Sequence, residues 1–120
     1  VRLIAVLFLL FTSLLAQSPL YEKGRELYFE KGCNGCHGTK AEGMTNYPSL
    51  ANRAKGFLAY KLENFRKGIV TTQIQQMMIA FAQPLSDQDI DALTTFLHEY
   101  VDDQKKFYNP GYETWGDGGS

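Results

Sequence analysis

Apolar residues recur at helical spacing in three stretches of the chain, and no run alternates convincingly enough to suggest a sheet. In the first stretch, from about 18 to 31, Leu20, Tyr21, Gly24, Leu27 and Tyr28 share a face. Glu22, Lys23, Glu26 and Glu30 fall elsewhere, and Gly32 supplies the stop. The second runs from about 56 to 67 on a stripe of Leu58, Leu62 and Phe65, and Gly68 ends it. The third begins at Ser86, where Ser86-x-x-Asp89 is a variant of the capping box with Pro84 just upstream. Asp87, Asp89 and Asp91 suit the helix dipole there, and Ile90, Leu93, Phe96, Leu97, Tyr100 and Val101 make the apolar face. Segments 38–55 and about 69–85 read as loops, the latter carrying Met77-Met78. The pattern predicts an all-α fold of three main helices and loops.

Both ends depart from this pattern. Arg2 precedes the apolar run Leu3 to Phe11, and Ala16 offers a small residue at a cleavage point, so residues 1–16 read as a signal peptide. The run is short for a membrane span of about 20 residues, and membrane association is expected only if this segment stays uncleaved. Residues 17–101 form the expected domain. The stretch 102–120 loses all periodicity and reads as a Gly- and aromatic-rich tail, with Phe107, Tyr108, Tyr112 and Trp115 in it.

Charge and size narrow the function. The 120 residues carry a net charge of −1, and losing Arg2 with the leader makes it one unit more negative. No nucleic-acid partner is expected from that balance. A domain of about 100 residues buries limited apolar surface, so a group wrapped by side chains would supply much of its core.

The chemistry lies in Cys33-Asn34-Gly35-Cys36-His37. Cys-x-x-Cys-His is the attachment site of a c-type haem: each thiol adds across one vinyl group, and the adjacent imidazole reaches the iron. A thioredoxin-like pair would need a βαβ context, which is not visible. A structural zinc site needs four ligands, whereas the chain has one other histidine, His98, and no further cysteine. One covalent haem is therefore expected, held by Cys33 and Cys36 with His37 as proximal iron ligand.

In chain order, the residues resemble a small bacterial monohaem class I cytochrome c, a periplasmic electron carrier. The matches are Gly24-x-x-Leu27-Tyr28, Cys33-x-x-Cys36-His37-Gly38, Tyr47-Pro48-Ser49-Leu50, Met77-Met78, and Leu85-Ser86-Asp87 leading to Leu93-x-x-Phe96. The likeness covers about 18–101 and implies the small cytochrome c fold wrapped around one haem. By this resemblance, the Pro48 carbonyl accepts the proximal imidazole's Nδ1–H, and Gly24 faces Phe96 where the first and last helices cross. Arg53 and Tyr60 are candidates for the haem propionates.

A low-spin carrier needs a second axial ligand. His98 lies roughly 130° from the centre of its helix's apolar face, on the side of Asp87, Asp91 and Thr94, and reads as a solvated surface imidazole. Met44 follows His37 too closely to leave chain for packing. Met77 and Met78 remain open on these grounds. The resemblance implies Met78, with Met77 as fallback, because the second of such a pair is the family's usual ligand.

A haem filled on both faces binds no small-molecule substrate at iron. The expected function is one-electron transfer between redox protein partners, without enzymatic activity. The alternative is a haem c subunit held permanently in a larger oxidoreductase, motivated by the aromatic tail. An open-iron enzyme or gas sensor is a third possibility and needs Met78 to be absent or displaced. Finally, Arg53, Lys55, Lys61, Arg66 and Lys67 face only Glu63 within 53–67, while 86–103 holds six acids and no Lys or Arg. This separation in sequence predicts a molecular dipole that steers partners.

Overall fold

The computed structural model describes residues 18–102. Five helices make up that span: α1 (Pro19–Glu30), α2 (Asn34–His37), α3 (Lys55–Arg66), α4 (Gln76–Ala82) and α5 (Asp87–His98). Among the described residues there is no strand, only an isolated bridge between Met44 and Tyr47. No helix among them is long and apolar enough to cross a membrane. The proposed leader 1–16 and nearly all of the tail, including its four aromatics, lie outside the described residues.

Local sequence chemistry sets the helix ends. Ser18 caps α1 through its Oγ, which accepts from the Tyr21 N–H at 3.2 Å. Ser86 and Asp89 cap α5 reciprocally: the Asp89 N–H reaches Ser86 Oγ and the Ser86 N–H reaches Asp89 Oδ2, both at 3.0 Å. Gly32 and Gly68 close α1 and α3 in the left-handed region, with φ of 76° and 78°. At the first stop the Gly32 N–H donates to Phe29 O and the Cys33 N–H to Tyr28 O, so the last carbonyls of α1 are satisfied. The same pair of bonds recurs from Gly68 to Phe65 and from Ile69 to Asn64.

The core sits where α1 crosses α5. Tyr21, Leu27 and Tyr28 of α1 pack with Ile90, Leu93, Phe96 and Leu97 of α5, joined by Leu58 and Phe65 of α3. Phe96 is the hub: its ring meets Tyr21 edge-on at 5.2 Å, Tyr28 at 5.5 Å and Tyr100 at 5.6 Å.

Four expectations change. Leu20 and Val101, assigned to the apolar faces of the first and last helices, are exposed, and the last helix ends at His98, before Val101. Segment 69–85 is not all loop, since Gln76–Ala82 is helical; seven residues are too few to display a repeat, and Pro84 follows closely. Thr94 is fully buried rather than on a polar side. Helix α5 packs against α1 and against α3, so Ala92 to Leu97 are all buried. The Thr94 hydroxyl meets its need within the helix by donating to Ile90 O at 2.7 Å.

The expected charge separation is the fourth. The basic and acidic segments lie against each other instead of apart. Lys55 Nζ pairs with Asp91 Oδ1 at 2.5 Å and Arg66 Nη2 with Asp87 Oδ1 at 2.7 Å, both linking α3 to α5. Arg66 Nη1 also donates to Leu85 O. Charges separated in sequence thus neutralise one another locally.

Candidate functional site

Closure of α1 on Gly32 delivers Cys33 into one further turn of helix. Its carbonyl accepts the His37 N–H at 3.0 Å, forming α2. Cys33, Cys36 and His37 stand at i, i+3 and i+4 of that turn, on one face. Both cysteines are half-buried, and no disulfide joins them. Burial pushes the Cys33 thiol's pKa up, partly offset by a backbone hydrogen bond.

His37 is buried, and its orientation is fixed. Nδ1 lies 2.8 Å from the Pro48 carbonyl. A carbonyl only accepts, so Nδ1 carries the proton and donates it, leaving Nε2 as the ring nitrogen with a lone pair for a metal. Tyr47 lies beside the imidazole, with ring centroids 6.4 Å apart.

Segment 38–54 brings Pro48 to this position. The Gly43 N–H donates to His37 O at 2.7 Å, while Met44 and Tyr47 exchange backbone bonds in a tight turn. A Cβ on Gly43 would stand 2.6 Å from Ser49 N and 2.8 Å from Tyr47 O, so only glycine permits this approach. Tyr28 adds a support invisible in the sequence pattern. Its buried hydroxyl donates to Gly38 O at 2.6 Å, anchoring the residue after His37. Burial raises the phenol's pKa well above its ordinary value, with smaller repulsive contributions from Cys33 and Glu42.

The remaining candidates separate by position. Met78 on α4 is half-buried and packs against the core, whereas Met77 is 50% exposed and Met44 56% exposed. Arg53 donates its Nε to Ser49 O, and Tyr60 is exposed on α3. His98 is on the surface but is not merely solvated, because its Nδ1 lies 2.7 Å from Arg53 O.

The donor set fits a c-type haem: two thiols and an oriented imidazole on one turn, with a thioether on a separate element. Large apolar side chains are also exposed nearby in sequence. Phe57, Ile69, Ile74, Met77 and Phe81 are all exposed within the stretch from α3 through α4.

An all-helical domain that presents Cys, Cys and His in this way is a c-type haem domain. Residues 21–100 match the cytochrome c family, and the chain belongs to that family. It is 32% identical to cytochrome c4 of Azotobacter vinelandii over 85 residues, covering 68% of this chain and 40% of that protein. It is 33% identical to the cbb3-type cytochrome c oxidase subunit CcoP of Helicobacter pylori (strain 52) over 82 residues, covering 65% and 27%. The structure is similar to reduced recombinant cytochrome c4 from Pseudomonas stutzeri, with a TM-score of 0.61 at 27% identity, covering 69% of this chain and 49% of that one. The chain thus spans less than half the length of the curated relatives named here. Its cofactor is covalently attached haem c with iron, and the role of the family is electron transfer.

Proposed function

We propose that Cys33 and Cys36 form the two haem thioethers, that His37 Nε2 is the proximal iron ligand, and that Met78 is the distal one. The observation that carries this is the single helical turn holding Cys33, Cys36 and His37, with the imidazole already oriented by Pro48. Half-burial against the core favours Met78 over Met77. Arg53 and Tyr60 are assigned to the propionates; with Nε spent on Ser49 O, Arg53 has its terminal nitrogens to offer.

Bound haem supplies an iron couple that gains and loses one electron. The chain's residues set how it does so. The Nδ1–H bond to Pro48 fixes the ring and makes Nε2 more basic. The soft thioether of Met78 favours the reduced iron and raises the potential relative to imidazole alone. With His37 and Met78 both held to the iron, no position would be left there for a substrate. The protein is therefore read as a carrier rather than an enzyme, exported to the periplasm by residues 1–16, with 17–101 as its haem domain.

Mass spectrometry of the exported protein tests the reading directly. The polypeptide should gain one haem that survives denaturation, and Cys33→Ala with Cys36→Ala should abolish the gain. Haem released by acid acetone from the unaltered protein defeats it.

A second reading has support of its own. One relative is an oxidase subunit and another is named thiosulfate dehydrogenase electron acceptor (Stutzerimonas stutzeri, 31% identical over 93 residues, covering 70% of this chain and 42% of that protein). On that reading the domain stays bound to an oxidoreductase. Gel filtration of native extract separates the two: a free carrier elutes small, and a subunit elutes with its complex.

A further inference from the structure

We propose that Asn52 is a positioning residue for the proximal ligand, acting through the loop that presents the Pro48 carbonyl; this rests on the haem reading above. The hydrogen bond from His37 to Pro48 is only as well placed as the segment carrying Pro48. That segment is pinned at two ends. At one end the Ala41 carbonyl accepts from Leu50 N at 2.9 Å, Ala51 N at 3.1 Å and Ser49 Oγ at 3.3 Å.

At the other end Asn52 binds the C-terminus of α5. Its N–H donates to Leu97 O at 2.7 Å, and its Nδ2 donates to Tyr100 O at 2.9 Å and His98 O at 3.3 Å. The contact is reciprocated one residue on, where His98 Nδ1 donates to Arg53 O at 2.7 Å. Asn52 does this from the left-handed region, at φ 61°. Asparagine is one of the few residues with a side chain that sits there readily. One residue thus satisfies carbonyls that the end of α5 leaves open and ties the loop to that helix. Helix α5 is the most buried element of the fold, so it is a rigid anchor.

Three residues separate Pro48 from this anchor, and all three are themselves held by Ala41. Removing the amide loosens the tie of the loop to α5, leaving the Ala41 bonds to hold the residues after Pro48. The Pro48 carbonyl then holds Nδ1–H less firmly, His37 becomes a weaker base, and oxidised iron loses stabilisation relative to reduced iron. The reduction potential rises.

The test uses full-length holoprotein. Asn52→Gly keeps the left-handed backbone and the main-chain N–H and removes the side chain with its amide. Asn52→Asp keeps the shape but faces two carbonyls with an acceptor. In both, covalent haem and the Met–Fe absorption band should persist. The potential should move positive by a few-fold change in equilibrium with a fixed redox mediator, and the His37 Nδ1 proton should exchange faster with solvent. Ser86→Ala, at the opposite end of α5, controls for stability alone: it should lower the unfolding midpoint and move neither quantity. If the Asn52 variants lose stability as Ser86→Ala does while potential and exchange stay at parental values, Asn52 is structural only and the proposal is overturned. A parental protein without covalent haem, or a visible spectrum unchanged by His37→Ala, overturns the haem reading itself, and this proposal with it.

Discussion

Gly24 of α1 and Ala92 of α5 meet backbone to backbone. A Cβ added to Gly24 would overlap the Ala92 carbonyl oxygen and stand 2.7 Å from the Phe96 Cβ. Neither neighbour is the end of a flexible chain, so the crossing cannot yield locally. Alanine at 24 gains up to about 1 kcal/mol in helix propensity, whereas overpacking costs about 1–3 kcal/mol or more. Gly24→Ala should therefore destabilise the holoprotein in urea unfolding. Gly56→Ala, where an added Cβ meets nothing within 4 Å, should be neutral or slightly stabilising. Equal stability of Gly24→Ala and parent would mean that the helices do not cross this closely.

This crossing was legible only through the family resemblance, which sets Gly24 against Phe96; the apolar stripe alone places Gly24 on the packed face without naming its partner. The caps at Ser86 and Asp89 and the stops at Gly32 and Gly68 were legible directly: each is a local rule involving two to five adjacent residues. Helix α4 was not, since seven residues carry too little periodicity. Thr94 was misplaced because its hydroxyl is satisfied by its own helix, which periodicity cannot register. The Tyr28 bond to Gly38 and the Asn52 clamp on α5 were also missed. Both join residues through tertiary contact, and nothing in a tyrosine or a loop asparagine announces its partner. The ion pairs show the same limit: composition counted charges correctly, but only packing shows which of them meet.

Methionine substitution separates the two distal candidates. Met78→Ala should abolish the weak far-red absorption of the ferric protein and open the ferrous iron to carbon monoxide. Met77→Ala should leave both unchanged, because Met77 is half exposed. Truncating a fully buried Met costs about 2–5 kcal/mol, and half-buried Met78 should fall at the low end or below. A silent Met78→Ala with an altered Met77→Ala moves the assignment by one residue.

Tyr28 predicts an alkaline stability phase. Its folded pKa is raised above the ordinary phenol value near 10, chiefly by burial. Below that value both folded and unfolded chains keep the proton, so stability does not depend on this group. Above it the unfolded chain loses the proton while the folded one retains it. Stability should then fall as pH rises, by at most about 1.4 kcal/mol per pH unit for one group. Tyr28→Phe should cost about 1 kcal/mol at neutral pH for the lost hydrogen bond and lack this alkaline loss. Parallel curves for variant and parent from pH 9 to 11, measured by urea unfolding, would remove Tyr28 from the account.

The pairing of Lys55 with Asp91 and of Arg66 with Asp87 governs how the surface steers charged partners. Separated patches would give a large dipole and a rate that falls steeply with salt. Paired as they are across α3 and α5, these four charges offer little field at a distance. Oxidation of the ferrous protein by a small anionic complex such as hexacyanoferrate should therefore depend only weakly on ionic strength. Removing the acids changes this. The double variant Asp87→Asn with Asp91→Asn leaves Arg66 and Lys55 without those carboxylates and near Lys61 and Lys67 on the same helix or its end. The anionic reagent should then react faster at low salt, with the gain lost as salt approaches 0.5 M, while a cationic complex slows. Each exposed pair contributes only about 0.2–1 kcal/mol to stability, so the variant should remain folded with an unchanged haem spectrum. A parental rate that already falls steeply with salt, and is unaffected by the two substitutions, would show that steering comes from other charges.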